Sequence, residues 1–181
     1  MDRRLCLAPV GYQMSVDVTS SEPLSQSGSC HCGAVRFTVE LPYGLASARR
    51  CTCSICRMRG AVAVTAERGG LTVTQGQDKL AAYRFNTGVA EHHFCSVCGI
   101  YTHHRRRSNP DELSVNVACL DGVSPFDFGQ VVVNDGERHP SDNAGRTRIA
   151  GSLVFKPADQ APNPSLAGGQ AAAPRPARRR P

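Results

Sequence analysis

Tryptophan is absent, aromatic residues make up only 6% of the chain, and lysine is nearly missing, at two residues against 19 arginines among 181. No apolar run approaches the ~20 residues that a membrane helix requires, so a soluble chain without a helical span is expected. Helical periodicity is also missing: no segment of ten or more residues shows a clean 3.6-residue repeat, which excludes a helical bundle. The apolar stretch from Leu5 to Val10 after Arg3 and Arg4 falls short of the about 7 to 15 residues of a secretory signal and lacks a small-residue cleavage site. Export is therefore not expected, and the reading is a cytoplasmic protein. The length suits one domain with tails.

Positive charge is unevenly spread. Residues 28 to 156 hold 15 Lys and Arg against 11 Asp and Glu, and the 25 residues from Pro157 add four against one. Seven of the nine cysteines lie in this core in close groups, a pattern of metal binding; if they bind two zinc ions as thiolates, the core comes close to neutral, and the basic character belongs mostly to the tail. The core's basic residues are dispersed and lack interleaved aromatics, so no nucleic-acid face is expected. The tail contains six Pro, seven Ala and two Gly, too little apolar surface to offset the entropy of ordering. Residues 157–181 are expected to be a disordered Pro/Ala/Arg-rich tail, residues 1–27 a disordered leader with Cys6 as a free thiol, and residues 28–156 the folded, zinc-binding domain.

Within the core the period is two. Val35, Phe37, Val39 and Leu41 alternate with Arg36, Thr38 and Glu40, the pattern of a half-buried antiparallel strand. Further short β-prone runs cover Ala61 to Thr65, Leu71 to Thr74, Leu80 to Phe85, Glu91 to Cys95, Leu113 to Val117 and Gln130 to Val133. Glycine and proline punctuation separates them, including Gly69-Gly70, Gly76, Gly88, Pro110 and Asp135-Gly136. The fold class expected is all-β, or β-dominated, with a turn or two of helix near Ser54 to Arg59.

Cysteine is the residue in excess. Nine are present, and seven form three close groups: Cys30 with Cys32, then Cys51, Cys53 and Cys56, then Cys95 with Cys98. Such spacing points to metal rather than to a disulfide framework. If Cys30 and Cys32 lie on a strand, their i, i+2 spacing puts both thiols on one face. Cys95 and Cys98 are spaced as in a zinc knuckle, and Gly33 and Gly99 supply backbone freedom beside the ligands. Cys30, Cys32, Cys95 and Cys98 therefore make an economical closed four-thiolate structural site. Cys51, Cys53 and Cys56 then provide three ligands, and zinc sites that act on substrates keep three protein ligands and leave the fourth position to water or substrate. The alternative is that His92, His93 or Cys119 closes a second structural site. Three thiolates make a poor Lewis acid toward water, whereas soft zinc favours sulfur, so the natural guest is a thiol held as thiolate, able to attack an aldehyde.

These strings, GSCHCGAVRF from Gly28 to Phe37, CTCSICR from Cys51 to Arg57 and HFCSVCG from His93 to Gly99, followed by RSNP from Arg107 and VNVACLDG from Val115, resemble the glutathione-dependent formaldehyde-activating enzyme family, which also includes centromere protein V. The resemblance covers residues 28 to about 122 well and to about 156 loosely. It implies a β-tent fold of small antiparallel sheets, a structural zinc at Cys30, Cys32, Cys95 and Cys98, and a second zinc at Cys51, Cys53 and Cys56 where glutathione binds. The implied reaction adds glutathione to formaldehyde, a carbon-sulfur lyase chemistry.

Arg57, nearest the triplet in sequence, and Arg107 are candidates to hold a thiol's carboxylate in a guanidinium fork. His93 shares strand parity with Cys95 and is a candidate to line the site or donate to a sulfur. Cys119 reads as a packed core cysteine, and His103 and His104 as part of a solvated basic turn beside Arg105 to Arg107. The competing functional reading is a zinc-stabilised binding module with both metal sites structural.

Overall fold

A computed structural model describes residues 17–157; Cys6, the first part of the leader and nearly all of the Arg-rich tail lie outside the described residues. Eleven strands and one short helix follow one another along the chain. They are β1 (Leu24–Ser29), β2 (Arg36–Leu41), β3 (Arg49–Cys51), α1 (Ser54–Arg59), β4 (Ala63–Glu67), β5 (Leu71–Gln75), β6 (Leu80–Tyr83), β7 (Glu91–Cys95), β8 (Tyr101–Arg105), β9 (Glu112–Asn116), β10 (Gln130–Asn134) and β11 (Ile149–Val154). The fold is β-dominated, and the only α-helix among the described residues, Ser54–Arg59, sits on the segment where the sequence places one.

The strands form two sheets, a three-stranded one in the order β1-β2-β5 and an eight-stranded one in the order β11-β10-β3-β4-β9-β8-β7-β6. Pairings are antiparallel except between β3 and β10, which run parallel. Alternation along β2 is strict: Phe37, Val39 and Leu41 are buried while Arg36, Thr38 and Glu40 are exposed. The buried face meets Val64 and Ala66 of β4 and Leu113 and Val115 of β9, forming the main core between the sheets. Each such side chain contributes roughly 1.5–3 kcal/mol by leaving water. Cys119 belongs to this core, with its sulfur 3.5 Å from Asn116 Nδ2, and burial first, then the charge of Cys30, pushes its thiol up to about 12.

Two expectations need correction. The leader does not extend to residue 27, because Val18 and Leu24 pack against the main core and β1 begins at Leu24. Its polar sequence hides a strand whose outward face needs no apolar residues. Nor is the segment around His103 a solvated turn. Tyr101, Thr102 and His103 are buried in β8, which lies between β7 and β9 in the large sheet. Local pairs absorb this polarity: Thr102 Oγ1 is 3.1 Å from His103 Nδ1, and His103 stacks on His93 with ring centroids 4.5 Å apart.

Candidate functional site

The four thiols of Cys30, Cys32, Cys95 and Cys98 converge, all four sulfurs lying within 4.8 Å of one another. Cys30 and Cys32 sulfurs are 3.6 Å apart, and those of Cys32 and Cys95 are 3.8 Å apart. Tetrahedral zinc with bonds of about 2.3 Å separates its sulfurs by about 3.8 Å, so the cluster fits a metal without rearrangement. The strand argument for Cys30 and Cys32 does not hold, since both lie in the turn that links β1 to β2. There Gly33, at φ 72°, turns the chain back and donates its N–H to Cys30 O at 3.0 Å. Gly99, at φ 76°, does the same for the Cys95–Cys98 turn, with its N–H 2.8 Å from Cys95 O. A β-branched or bulky residue would strain either turn. The Cys98 thiol is drawn down to about 6: burial opposes this, but N–H groups of Ile100 and Cys32 and the neighbouring thiols outweigh it. The cluster joins the small sheet's β1–β2 turn to the β7 end of the large sheet.

The second cluster occupies one short segment. Cys51 ends β3, Cys53 is the N-cap residue of α1, and Cys56 lies within that helix. Their sulfurs also lie within 4.8 Å of one another, and among the described residues no fourth His, Cys, Asp or Glu joins them. Neither His92, His93 nor Cys119 completes the set. None of the six helix residues is buried, so α1 has no apolar face of its own to hold it. Hydrogen bonds from Cys51 and Cys56 hold the Cys53 thiol far below the usual thiol range, while Cys51 and Cys56 are raised.

A cavity of about 830 Å³ contains the triplet. Arg57 and Arg107, the candidates to hold a carboxylate, both line it, but each is already paired. Arg57 lies 3.7 Å from Glu137 at an exposed position, and Arg107 donates to Asp142. Arg50, which the sequence did not single out, lines the same cavity from β3 with no carboxylate partner among the described residues. His93 does not line it. Residues facing each other across antiparallel strands share a side, and the β7–β8 register pairs His93 with His103 and His92 with His104. It is the second pair that faces the triplet's cavity.

His92 and His104 stack with centroids 4.7 Å apart. Arg59, on α1, reaches His92 Nδ1 at 3.0 Å and lies over the Tyr101 ring, 4.1 Å from its centroid. Burial, then the charge of Arg59, pushes His92 down to about 4. The remaining feature the sequence concealed is Gly136, recognisable only as turn punctuation. A Cβ there would lie 2.3 Å from Cys51 Sγ and 2.7 Å from Cys53 Cβ. The backbone after β10 therefore presses directly on the triplet, held by the Gly136 N–H donating to Thr52 Oγ1 at 3.0 Å.

The chain thus carries two cysteine clusters that could hold metal, one of them opening on a guanidinium-lined cavity in a β-dominated fold. The profile of the family described as "Glutathione-dependent formaldehyde-activating enzyme" matches residues 25–130, and the chain belongs to that family. A Halomonas elongata protein provisionally named a glutathione-dependent formaldehyde-activating enzyme is 40% identical over 79 residues, covering 39% of this chain and 50% of the relative. The chain thus spans about half the length of that curated relative. A crystal structure of a Rhodobacter sphaeroides protein shares the fold at a TM-score of 0.57 and 58% identity, over 58% of this chain and 96% of that one. No helix among the described residues is long and apolar enough to cross a membrane.

Proposed function

We propose that the chain is a cytoplasmic zinc enzyme that binds glutathione, or a similar small thiol, at Cys51, Cys53 and Cys56 and adds it to formaldehyde or a related small aldehyde, a carbon-sulfur lyase chemistry. The observation that carries this reading is a three-thiol cluster, without a fourth ligating side chain among the described residues, in a cavity large enough for a tripeptide. Cys30, Cys32, Cys95 and Cys98 would hold one zinc for structure, and the triplet would hold the other. Zinc bound by three thiolates supplies a soft position that keeps a fourth sulfur in its thiolate form near neutral pH.

The chain's own residues do the rest. Arg50 takes a carboxylate of the thiol, and its delocalised planar fork suits two parallel hydrogen bonds. Arg57 and Arg107 contribute only by exchanging Glu137 and Asp142 for the ligand, so they set a threshold rather than supply affinity. Arg59 is held against Tyr101 and His92, and its charge remains on that wall of the cavity.

Calorimetric titration of the zinc-loaded protein with glutathione, with zinc content measured before and after, tests the reading. Binding at one equivalent with both metals retained supports it. The same titration without heat, or with binding unchanged in Cys53→Ser, removes it. The reading as a binding module with two structural metals has one observation in its favour. Edge strand β11 exposes Ile149, Leu153 and Val154 and carries no charged residue or proline to discourage pairing. A thiol-silent protein would shift attention to that edge.

A further inference from the structure

Each of the stacked histidines beside the triplet has its Nδ1 engaged by a neighbour. Arg59 Nη1 lies 3.0 Å from His92 Nδ1. A guanidinium can only donate, so Nδ1 carries the lone pair and the proton of the neutral ring sits on Nε2. For His104, Nδ1 lies 2.5 Å from the Tyr101 hydroxyl, and that hydroxyl donates to Ser114 O at 3.1 Å. The Ser114 carbonyl can only accept, so a hydroxyl that donates to it would accept from Nδ1–H and leave His104 Nε2 bare. Burial keeps both rings neutral, assisted by Arg59 at His92 and by His92 at His104.

The second nitrogens are the ones that remain available. Among the described residues neither Nε2 has a hydrogen-bonding partner, yet no buried side-chain nitrogen or oxygen lacks one. Both Nε2 atoms therefore keep contact with open space, and both rings line the triplet's cavity. The charge of Cys53 acts on each of them, which places the pair within electrostatic reach of the thiols.

We propose that His92 and His104 form a donor–acceptor pair that binds a hydroxyl group, His92 Nε2–H donating to its oxygen and His104 Nε2 accepting its hydrogen. The inference rests on the function proposed above, in which the product carries such a hydroxyl on its hydroxymethyl group. A carbonyl oxygen or a thiolate can only accept and so satisfies half of the pair. The site therefore prefers the hydroxymethyl adduct, or the hydrated aldehyde, to either reactant in its simple form. In the addition, a sulfur lone pair forms the new S–C bond and the carbonyl π pair moves onto oxygen. The proton released by the thiol ends on that oxygen. His92 stabilises the oxygen while charge builds on it, and His104 takes the hydroxyl hydrogen once it is there. Arg59 is a positioning residue that acts through His92.

The test uses the metal-loaded full chain labelled with ¹⁵N at histidine. Long-range ¹H–¹⁵N spectra are expected to show Nε2–H on His92 and Nδ1–H on His104, and Arg59→Met is expected to mix the His92 tautomers. In binding, His92→Phe keeps the stacked ring and should leave glutathione affinity within about twofold, while weakening glutathione pre-equilibrated with formaldehyde about tenfold. Identical tautomers on the two rings, or equal losses for thiol and adduct, overturn the pair. If glutathione fails to bind the parent protein, the proposed function falls by itself. Methanediol, the form of formaldehyde in water, then decides the pair alone, by shifting both Nε2 signals or neither.

Discussion

Gly136→Ala isolates the contact between the backbone after β10 and the thiol triplet. The added Cβ would stand 2.3 Å from Cys51 Sγ, 2.7 Å from Cys53 Cβ and 2.7 Å from Cys53 N. Reaching an ordinary contact requires a displacement of about 1 Å, and alanine's backbone preferences are not at issue because Gly136 does not adopt positive φ. The loop has little room to yield. Its neighbours are fixed by Gly136 N–H to Thr52 Oγ1 at 3.0 Å, Asp135 N–H to Arg148 O at 2.8 Å and Thr52 N–H to Asn134 O at 3.1 Å. Metal sites tolerate ligand distances only within about 0.2 Å, so a displaced Cys51 sulfur leaves its ligating position. Overpacking of this kind costs about 1–3 kcal/mol, equivalent to roughly 5- to 150-fold in zinc affinity at the triplet if the strain falls there. Zinc competition with a chromophoric chelator should show one tight ion unchanged and one weakened, with far-UV circular dichroism preserved. Gly129→Ala is the control, because a Cβ there meets nothing within 4 Å. Two ions held at parental affinity in Gly136→Ala, or the same loss in the control, would refute the argument.

Cys98→Ser should lose cooperative unfolding altogether, because its cluster ties the two sheets together and metal binding there is folding energy; Cys53→Ser should keep a sigmoidal melt and lose one zinc. A cooperative Cys98→Ser protein would contradict this assignment. Arg50→Ala should weaken glutathione binding by roughly tenfold, as expected for one charge-assisted contact, while Arg57→Ala, whose guanidinium is already paired, should change it less than about threefold. Equal effects in a binding titration would remove the distinction between them. Burial, then His93, pushes His103 down to about 3 in the fold, against about 6.5 in the unfolded chain. The unfolded chain therefore binds the extra proton between those values, and stability falls as pH drops below about 6.5. His103→Gln should flatten that slope by about 2 kcal/mol between pH 6.5 and 4.5, read from urea midpoints, and an unchanged slope would show that His103 is not responsible.

What could be read in advance was whatever depended on local periodicity or on ligand spacing. The alternation from Val35 to Leu41 fixed β2, Glu91 to Cys95 gave β7, and the helix fell on Ser54–Arg59. Both cysteine clusters came together as their spacing required. Strands whose burial is decided by neighbours were missed. β8 reads as basic and polar, and only its position between two other strands makes Thr102 and His103 interior residues. At the site, strand parity with Cys95, which serves the other cluster, points to His93, whereas His92 is the histidine of β7 that lines the cavity. The contacts of Gly136 and Arg50 with the triplet's surroundings depend on β10 pairing with β3, a parallel match across some eighty residues that no local signal announces.

That parallel match also brings a segment from beyond the family match to the triplet. The family profile ends at residue 130, whereas Asp135, Gly136, Glu137, His139 and Asp142 all wall the cavity. The matched part of the chain supplies the sulfurs, the arginines and His92 and His104 of the cavity, and the segment beyond it closes the wall opposite α1 with Gly136, Glu137 and Asp142. Exchanging residues 137–142, which leaves Gly136 and the β3–β10 pairing in place, should therefore change the wall facing the triplet while both cysteine clusters keep their geometry.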